Sequence, residues 1–172
     1  METDPLGETN IFGDRVALRS VRPNDFELLF RWLNDPEIYR WWGGVPIESD
    51  VIQKKYLGSR RPQVCSYIIE VTGMPIGYAQ SCQLNADGGN VDLFLIPEMR
   101  GRGHGIDTVR TLVDHLKEVQ GWNQVSVDPE QENSPAQSFW RKIGFIETEQ
   151  ITSEGNLVLI LKESPHQSSD GK

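Results

Sequence analysis

The chain predicts an α/β domain built on a mixed, mostly antiparallel sheet of six to seven strands flanked by about four helices. Three observations carry that prediction. Residues 91–119 read as an apolar strand, a glycine-rich turn and an amphipathic helix. Residues 65–83 form two alternating runs that meet at a glycine, and the last third of the chain sets short strands around one further helical stripe.

Taken in order, Val16 and Leu18 alternate with polar neighbours from Arg15 to Ser20 and give a first strand. Pro23-Asn24-Asp25 starts a helix with Phe26, Leu29, Phe30 and Leu33 at helical spacing, and Asn34-Asp35-Pro36 stops it. A second helical pattern runs from about Ser49 to Leu57. Between them, Trp41 and Trp42 are adjacent and cannot share one face of a regular element. They read two ways: one ring in the core with the other covering a loop, or an aromatic wall for a ligand.

From Cys65 to Gln83 a hairpin is expected with a two-residue loop at Gly73-Met74. That loop would place Cys65 opposite Cys82 and Tyr67 opposite Gln80, unless a bulge breaks the register. Asn85 to Asn90 reads as a polar turn into a strand at Val91–Ile96. The helix that follows carries Ile106, Val109, Leu112, Val113 and Leu116 on one stripe and closes at Gly121. Gln124–Asp128 is a short strand. Asn133 caps a helix with Ala136, Phe139, Trp140 and Ile143 on its apolar face, ending at Gly144, and two strands follow at about 145–152 and 156–162.

The bulk numbers bound the function. At 172 residues, 37% hydrophobic and 24% charged, the chain is one domain's worth of mixed globular sequence, expected to run from 14 to 163 between loose termini at 1–13 and 164–172. No apolar run approaches the roughly 18 residues of a membrane span, and METDPLGETN lacks the regions of a signal peptide, so a cytoplasmic location is the default. A net charge of -8 argues against nucleic acid or an anionic membrane as main partner and suits a small cation, although acidic surfaces also serve solubility. Cys65 and Cys82 have no metal-ligand spacing and read as small buried residues; no metal is expected.

The glycines at 101, 103 and 105 remove Cβ atoms, so that successive backbone N–H groups can converge on phosphate oxygens at the positive end of the following helix. Dinucleotide and ATP loops need other spacings. The pattern R-x-x-G-x-G from Arg100 to Gly105, after a strand ending L-I-P, resembles the acetyl-CoA pyrophosphate loop of the GNAT superfamily of N-acetyltransferases. The half-motif N-x-x-A-x-x-F-W-x-K-x-G-F from Asn133 to Phe145 strengthens the likeness. W-L-x-x-P at 32–36, W-W-G-G at 41–44, K-Y-L at 55–57, G-x-P-I-G-Y-A-Q at 73–80 and D-P at 128–129 look most like the aminoglycoside 6'-N-acetyltransferases of that superfamily.

The resemblance implies a GNAT fold and direct acetyl transfer from acetyl-CoA to the 6'-amine of an aminoglycoside, with antibiotic resistance as the consequence, in a monomer or homodimer. It implies cofactor contacts from Leu93, Phe94, Leu95, Arg100, Gly101, Arg102, Gly103, His104, Gly105, Ile106, Asn133 and Trp140. It gives Trp41, Trp42, Tyr56, Gln80, Asp92, Asp128 and Glu154 to the acceptor cleft, with Asp92 as catalytic base. Bland readings stand beside these: Asp128 before a proline is a good turn residue, and Glu154-Gly155 could be a hairpin tip. Asp92 lies inside an apolar strand, where a carboxylate needs a partner. At an ordinary pKa near 3.9 it is a weak base. Trp140 stands where these enzymes usually have a tyrosine near the sulfur, and an indole is no proton donor of that kind. Two rival readings remain: acetylation of a protein N-terminus or siderophore amine, and a non-catalytic acyl-CoA-binding sensor.

Overall fold

The computed structural model describes residues 9–161. Eight strands form one mixed sheet in the order β1-β2-β3-β4-β5-β6-β8-β7. The strands are β1 (Asn10–Phe12), β2 (Ala17–Ser20), β3 (Val64–Val71), β4 (Met74–Asn85), β5 (Gly88–Leu95), β6 (Gln124–Val127), β7 (Ile146–Ile151) and β8 (Leu157–Leu161). Five α-helices accompany them: α1 (Phe26–Leu33), α2 (Pro36–Tyr39), α3 (Ser49–Lys55), α4 (His104–Glu118) and α5 (Ser134–Ile143). All neighbouring strands are antiparallel except β5 and β6.

The sheet has one strand and one helix more than the sequence predicts. Residues 10–12, read as part of a loose terminus, pair with β2, and Asp107 of α4 accepts from the amides of Asp14, Arg15 and Val16 at 3.3, 2.8 and 2.9 Å. Asn34-Asp35-Pro36 ends α1 but also starts α2, because the Asp35 side chain accepts from the Glu37 amide at 2.9 Å and Pro36 needs no partner for the N–H it lacks. In α1 the buried stripe is Leu29, Trp32 and Leu33; Phe30, expected on that stripe, is 39% exposed. Of the expected loose ends, residues 1–8 and all of 164–172 lie outside the described residues.

The hairpin register also differs from expectation. Its two turn residues are Thr72 and Gly73, at φ 50° and 77°, so Val71 faces Met74, whereas a Gly73-Met74 loop would have set Thr72 opposite Pro75. A bulge between Ile69 and Glu70 then shifts the ladder once more, and Cys65 faces Ser81 while Tyr67 faces Ala79. Cys82 pairs with Val64 and therefore lies on the opposite face from Cys65; both thiols are free and half-buried. The polar turn predicted at 85–90 is shorter than expected, because Gly88 and Gly89 already belong to β5. A Cβ on Gly89 would stand 1.9 Å from the Cys82 carbonyl oxygen, so only glycine permits that approach of the strands.

Alternation divides the sheet into two faces. Tyr67, Ile69, Ala79, Val91, Val125 and Val127 pack with Val109, Leu112, Val113 and Leu116 of α4 and with Trp140 and Ile143 of α5. On the other face Ile68, Tyr78 and Phe94 pack with Leu29, Trp32 and Leu33 of α1, Ile38 of α2 and Ile52 of α3. Asp92 and Gln80 belong to this second face, two residues from Phe94 and Tyr78 on their respective strands.

Candidate functional site

The second face ends in an aromatic box. Tyr78 stacks on Phe94 at 5.6 Å, and Trp42 meets both edge-on, at 5.8 and 5.1 Å. Tyr56 tilts against Tyr78 at 5.5 Å and its oxygen accepts from Trp42 Nε1 at 2.9 Å. Trp41 stands apart, with the Arg40 guanidinium 5.0 Å above its ring. Neither tryptophan is fully buried, so the box is a wall rather than sealed core.

Next to the box, Gln80 and Asp92 are cross-strand partners on β4 and β5. Water reaches Asp92, which is exposed, yet burial raises its carboxyl to about 7. The two facts agree if the group stands on the floor of an open cleft: protein on most sides removes bulk water, while one side stays open. The Leu93 amide, donating to Asp92 Oδ1 at 2.9 Å, opposes the rise, and the charges of Asp128 and Glu130 add to it.

Asp128, just past β6, is raised by burial and then by the charge of Glu154. Glu154 itself is exposed at the tip of the β7–β8 hairpin and is lowered by its own amide and by the hydroxyls of Ser153 and Thr152. Gln131 Nε2 donates to the Gly155 carbonyl and ties that tip to the loop after β6. Four carboxylates, Asp92, Asp128, Glu130 and Glu154, thus share one electrostatic neighbourhood. A cleft of about 370 Å³ continues from Asp128 along the same sheet face and is lined by Asn90, Ser126, Gln150 and Thr152 among others.

The other half of the site rests on a gap. β5 pairs with β6 only at Gly88, Gly89 and Asn90; beyond Asn90 and Ser126 the two strands part. The Ile96 amide donates to the Ile76 carbonyl at 2.9 Å, so by alternation the backbone groups of Leu93 and Leu95 point away from β4, into the gap. An extended amide chain can add there as a strand does. Beyond the gap lies the first turn of α4, whose amides have no carbonyl within the helix to bond. Gly103 is left-handed, at φ 85°, and a Cβ there would lie 2.5 Å from Arg15 Nη2. On Gly105 it would lie 3.1 Å from Phe139. The buried His104 ring has no partner for Nδ1 among the described residues. An open backbone cradle at a helix N-terminus, followed by a strand edge that turns the Leu93 carbonyl and the Leu95 amide to the gap while the Leu93 amide and the Leu95 carbonyl are held by Asp92 and Arg100, fits a pyrophosphate with an amide-bearing arm such as acetyl-CoA carries.

The structure brings Trp42, Tyr56, Gln80 and Asp92 together, and groups Asp128 and Glu154 beside them. It gives other roles to some residues assigned to the cofactor. Arg100 is committed to backbone carbonyls, Nε to Leu95 at 3.1 Å and Nη2 to Glu37 at 2.9 Å, and so braces the loop against α2. Asn133 accepts from the Ala136 amide at 3.2 Å as the cap of α5. Trp140 is 5% exposed, held edge-on by Phe139 and Phe145 in the first core. The Phe94 ring joins the aromatic box, leaving only its backbone near the gap. Sequence reasoning missed Ser66, Tyr78 and Glu130. Tyr78 and Glu130 each lie two residues from a residue already singled out, and that spacing was the available signal.

Comparison with known proteins bears on both halves of the site. The family model described as acetyltransferase (GNAT) domain matches residues 15–146. The proteins named aminoglycoside N(6')-acetyltransferase type 1 of Klebsiella pneumoniae and of Serratia marcescens are 34% identical over 150 residues, covering 77% of this chain and 74% of each relative. Solved structures of AAC(6')-Ib superpose with a TM-score of 0.80: the complex with paromomycin and acetyl-CoA at 27% identity and the complex with ribostamycin and coenzyme A at 28%, each covering 92% of this chain and 99% of the other. A spermidine N-acetyltransferase from Vibrio cholerae, at 15% identity and a TM-score of 0.74 over 88% of this chain and 98% of the other, shares the fold.

Proposed function

Because the chain belongs to the acetyltransferase (GNAT) family, we propose that it moves the acetyl group of acetyl-CoA to the 6'-amine of an aminoglycoside. The observation that carries the acceptor assignment is Asp92, a carboxyl raised to about 7 beside an aromatic box and three further carboxylates. The relatives that bear aminoglycosides in their names support the same reading.

Bound along the β5–β6 gap, acetyl-CoA supplies a thioester carbonyl carbon for the amine to attack. This chain's residues do the rest. The first-turn amides of α4, with Gly101 and Gly103 making the turn possible, hold the phosphates. The Leu93 carbonyl and the Leu95 amide, which face the gap, orient the arm, and Arg100 keeps the turn in place. The acidic wall draws in a polycation, but it also favours the protonated amine, which cannot attack. Asp92 resolves that conflict. A carboxyl near 7 is a far better base than one near 3.9, and its exposed side passes the proton on to water. Trp140 donates no proton; a leaving thiol of pKa about 8–9 departs tolerably as thiolate without one.

The test is acetyl-CoA-dependent thiol release with kanamycin, ribostamycin and an aminoglycoside lacking the 6'-amine. Turnover with the first two and at least a hundredfold less with the third is expected. Equal rates with the third would remove the regiochemical assignment, and release with none would remove the acceptor class.

A further inference from the structure

Two hydrogen-bonded chains run through the aromatic box, and each has a direction. An indole N–H can only donate, so the 2.9 Å contact between Trp42 Nε1 and the Tyr56 oxygen fixes that oxygen as acceptor. Tyr56 is half-buried and has no second partner among the described residues, so its own proton is free for the cleft.

The second chain is Ser66, Tyr78 and Gln80. Tyr78 is fully buried, with its oxygen 2.8 Å from Ser66 Oγ and 3.0 Å from Gln80 Oε1. It has one proton to give. Were that proton given to Ser66, the buried serine hydroxyl would have no acceptor among the described residues. If instead Ser66 donates to Tyr78 and Tyr78 donates to Gln80 Oε1, every buried proton is paired. Gln80 then has its carbonyl oxygen occupied and its NH2 group left over at the partly exposed end of the chain.

Both chains therefore end in donors. We infer that Tyr56 O–H and Gln80 N–H form a donor pair that recognises hydroxyl oxygens on neighbouring carbons next to the reacting amine, with Ser66 and Tyr78 as the residues that set the polarity. The site thus divides the acceptor's chemistry. The carboxylates at 92, 128, 130 and 154 take ammonium groups, and the donors at 56 and 80, on the aromatic side of Asp92, take sugar oxygens. A linear polyamine offers only nitrogen, protonated and unable to accept, so the donor pair discriminates against it and in favour of an amino sugar. The inference rests on the acceptor proposed above and narrows it.

The experiment measures dissociation constants for the acetyl-CoA-free protein with a 6'-amino aminoglycoside and with its 3',4'-dideoxy counterpart of equal charge. The readout is the ratio of the two constants, in which general damage and charge effects cancel. Wild-type protein should prefer the hydroxylated acceptor at least tenfold. Tyr56→Phe and Gln80→Glu, each removing one donor, should shrink that preference by about twofold to tenfold, the range of one net hydrogen bond. Tyr78→Phe should shrink it with Gln80 intact, because the amide is then free to turn; a merely structural role would weaken both acceptors alike and leave the ratio in place. A ratio that stays put in all three variants overturns the donor pair while leaving the acetyltransferase assignment untouched. Wild-type protein that binds neither acceptor overturns the acceptor class and the inference together, and the thiol-release panel separates that case from the first.

Discussion

In the proposed reaction Asp92 is the base, and the position of its carboxyl has consequences for both rate and stability. Protonated below about 7, it can neither accept the amine's proton nor attract the cation. The kcat/KM for the acceptor should therefore climb with pH through about 7. Asp92→Asn should lower it about a hundredfold, the lower end of what a general base contributes, and should erase that limb of a pH–rate profile. Stability moves the other way. The folded pKa lies above the unfolded value of 3.8, so the native state binds the extra proton between about 4 and 7, and the charged form costs stability above that window. Because water reaches the group, the cost is discounted to about 1–2 kcal/mol. Asp92→Asn should then unfold at a higher temperature than wild type at pH 8 and at the same temperature near pH 4. Asp92 was legible in the sequence, as a carboxylate in an apolar strand. Ser66 was not, because a serine in a strand acquires meaning only once the register sets it opposite Gln80, and Tyr78, although two residues from Gln80 on the same strand, acquires its role only through that serine.

Among the elements, the turn into α4 carries the proposed cofactor contacts. Gly103→Ala puts a Cβ at φ 85° and within 2.5 Å of Arg15 Nη2, whose Nη1 donates to the Arg102 carbonyl at 3.1 Å. The left-handed residue alone costs about 1–2 kcal/mol. The expected result is a rise of about tenfold in KM for acetyl-CoA with KM for the acceptor little changed, read from initial rates with each substrate varied. Both helices around this site were legible from strong local punctuation: glycines before α4, Asn133 before α5 and Gly144 after it. The short elements were not. Three residues of β1 and four of α2 carry too little periodicity to register, and the β3–β4 turn misled because Thr72, not Met74, takes the second left-handed place beside Gly73.

At the scale of the whole molecule, the proposed function has the sheet join the two substrates: the donor in its gap, the acceptor on one of its faces, and β5 belonging to both. Element order and the helix stripes were readable from the chain. The parting of β5 and β6 was not, because it depends on where two strands distant in sequence cease to pair. The grouping of Asp92 with Asp128, Glu130 and Glu154 depends on the same tertiary arrangement and reached the sequence reading only through the family likeness, which omitted Glu130. If one cleft presents a single amine to β5, the product of a reaction with kanamycin must carry its acetyl group on one nitrogen. Assigning that nitrogen by NMR of the isolated product tests the account most directly. An acetyl on the 6'-nitrogen alone is the predicted result, and acetylation of another nitrogen, or of several, would contradict it.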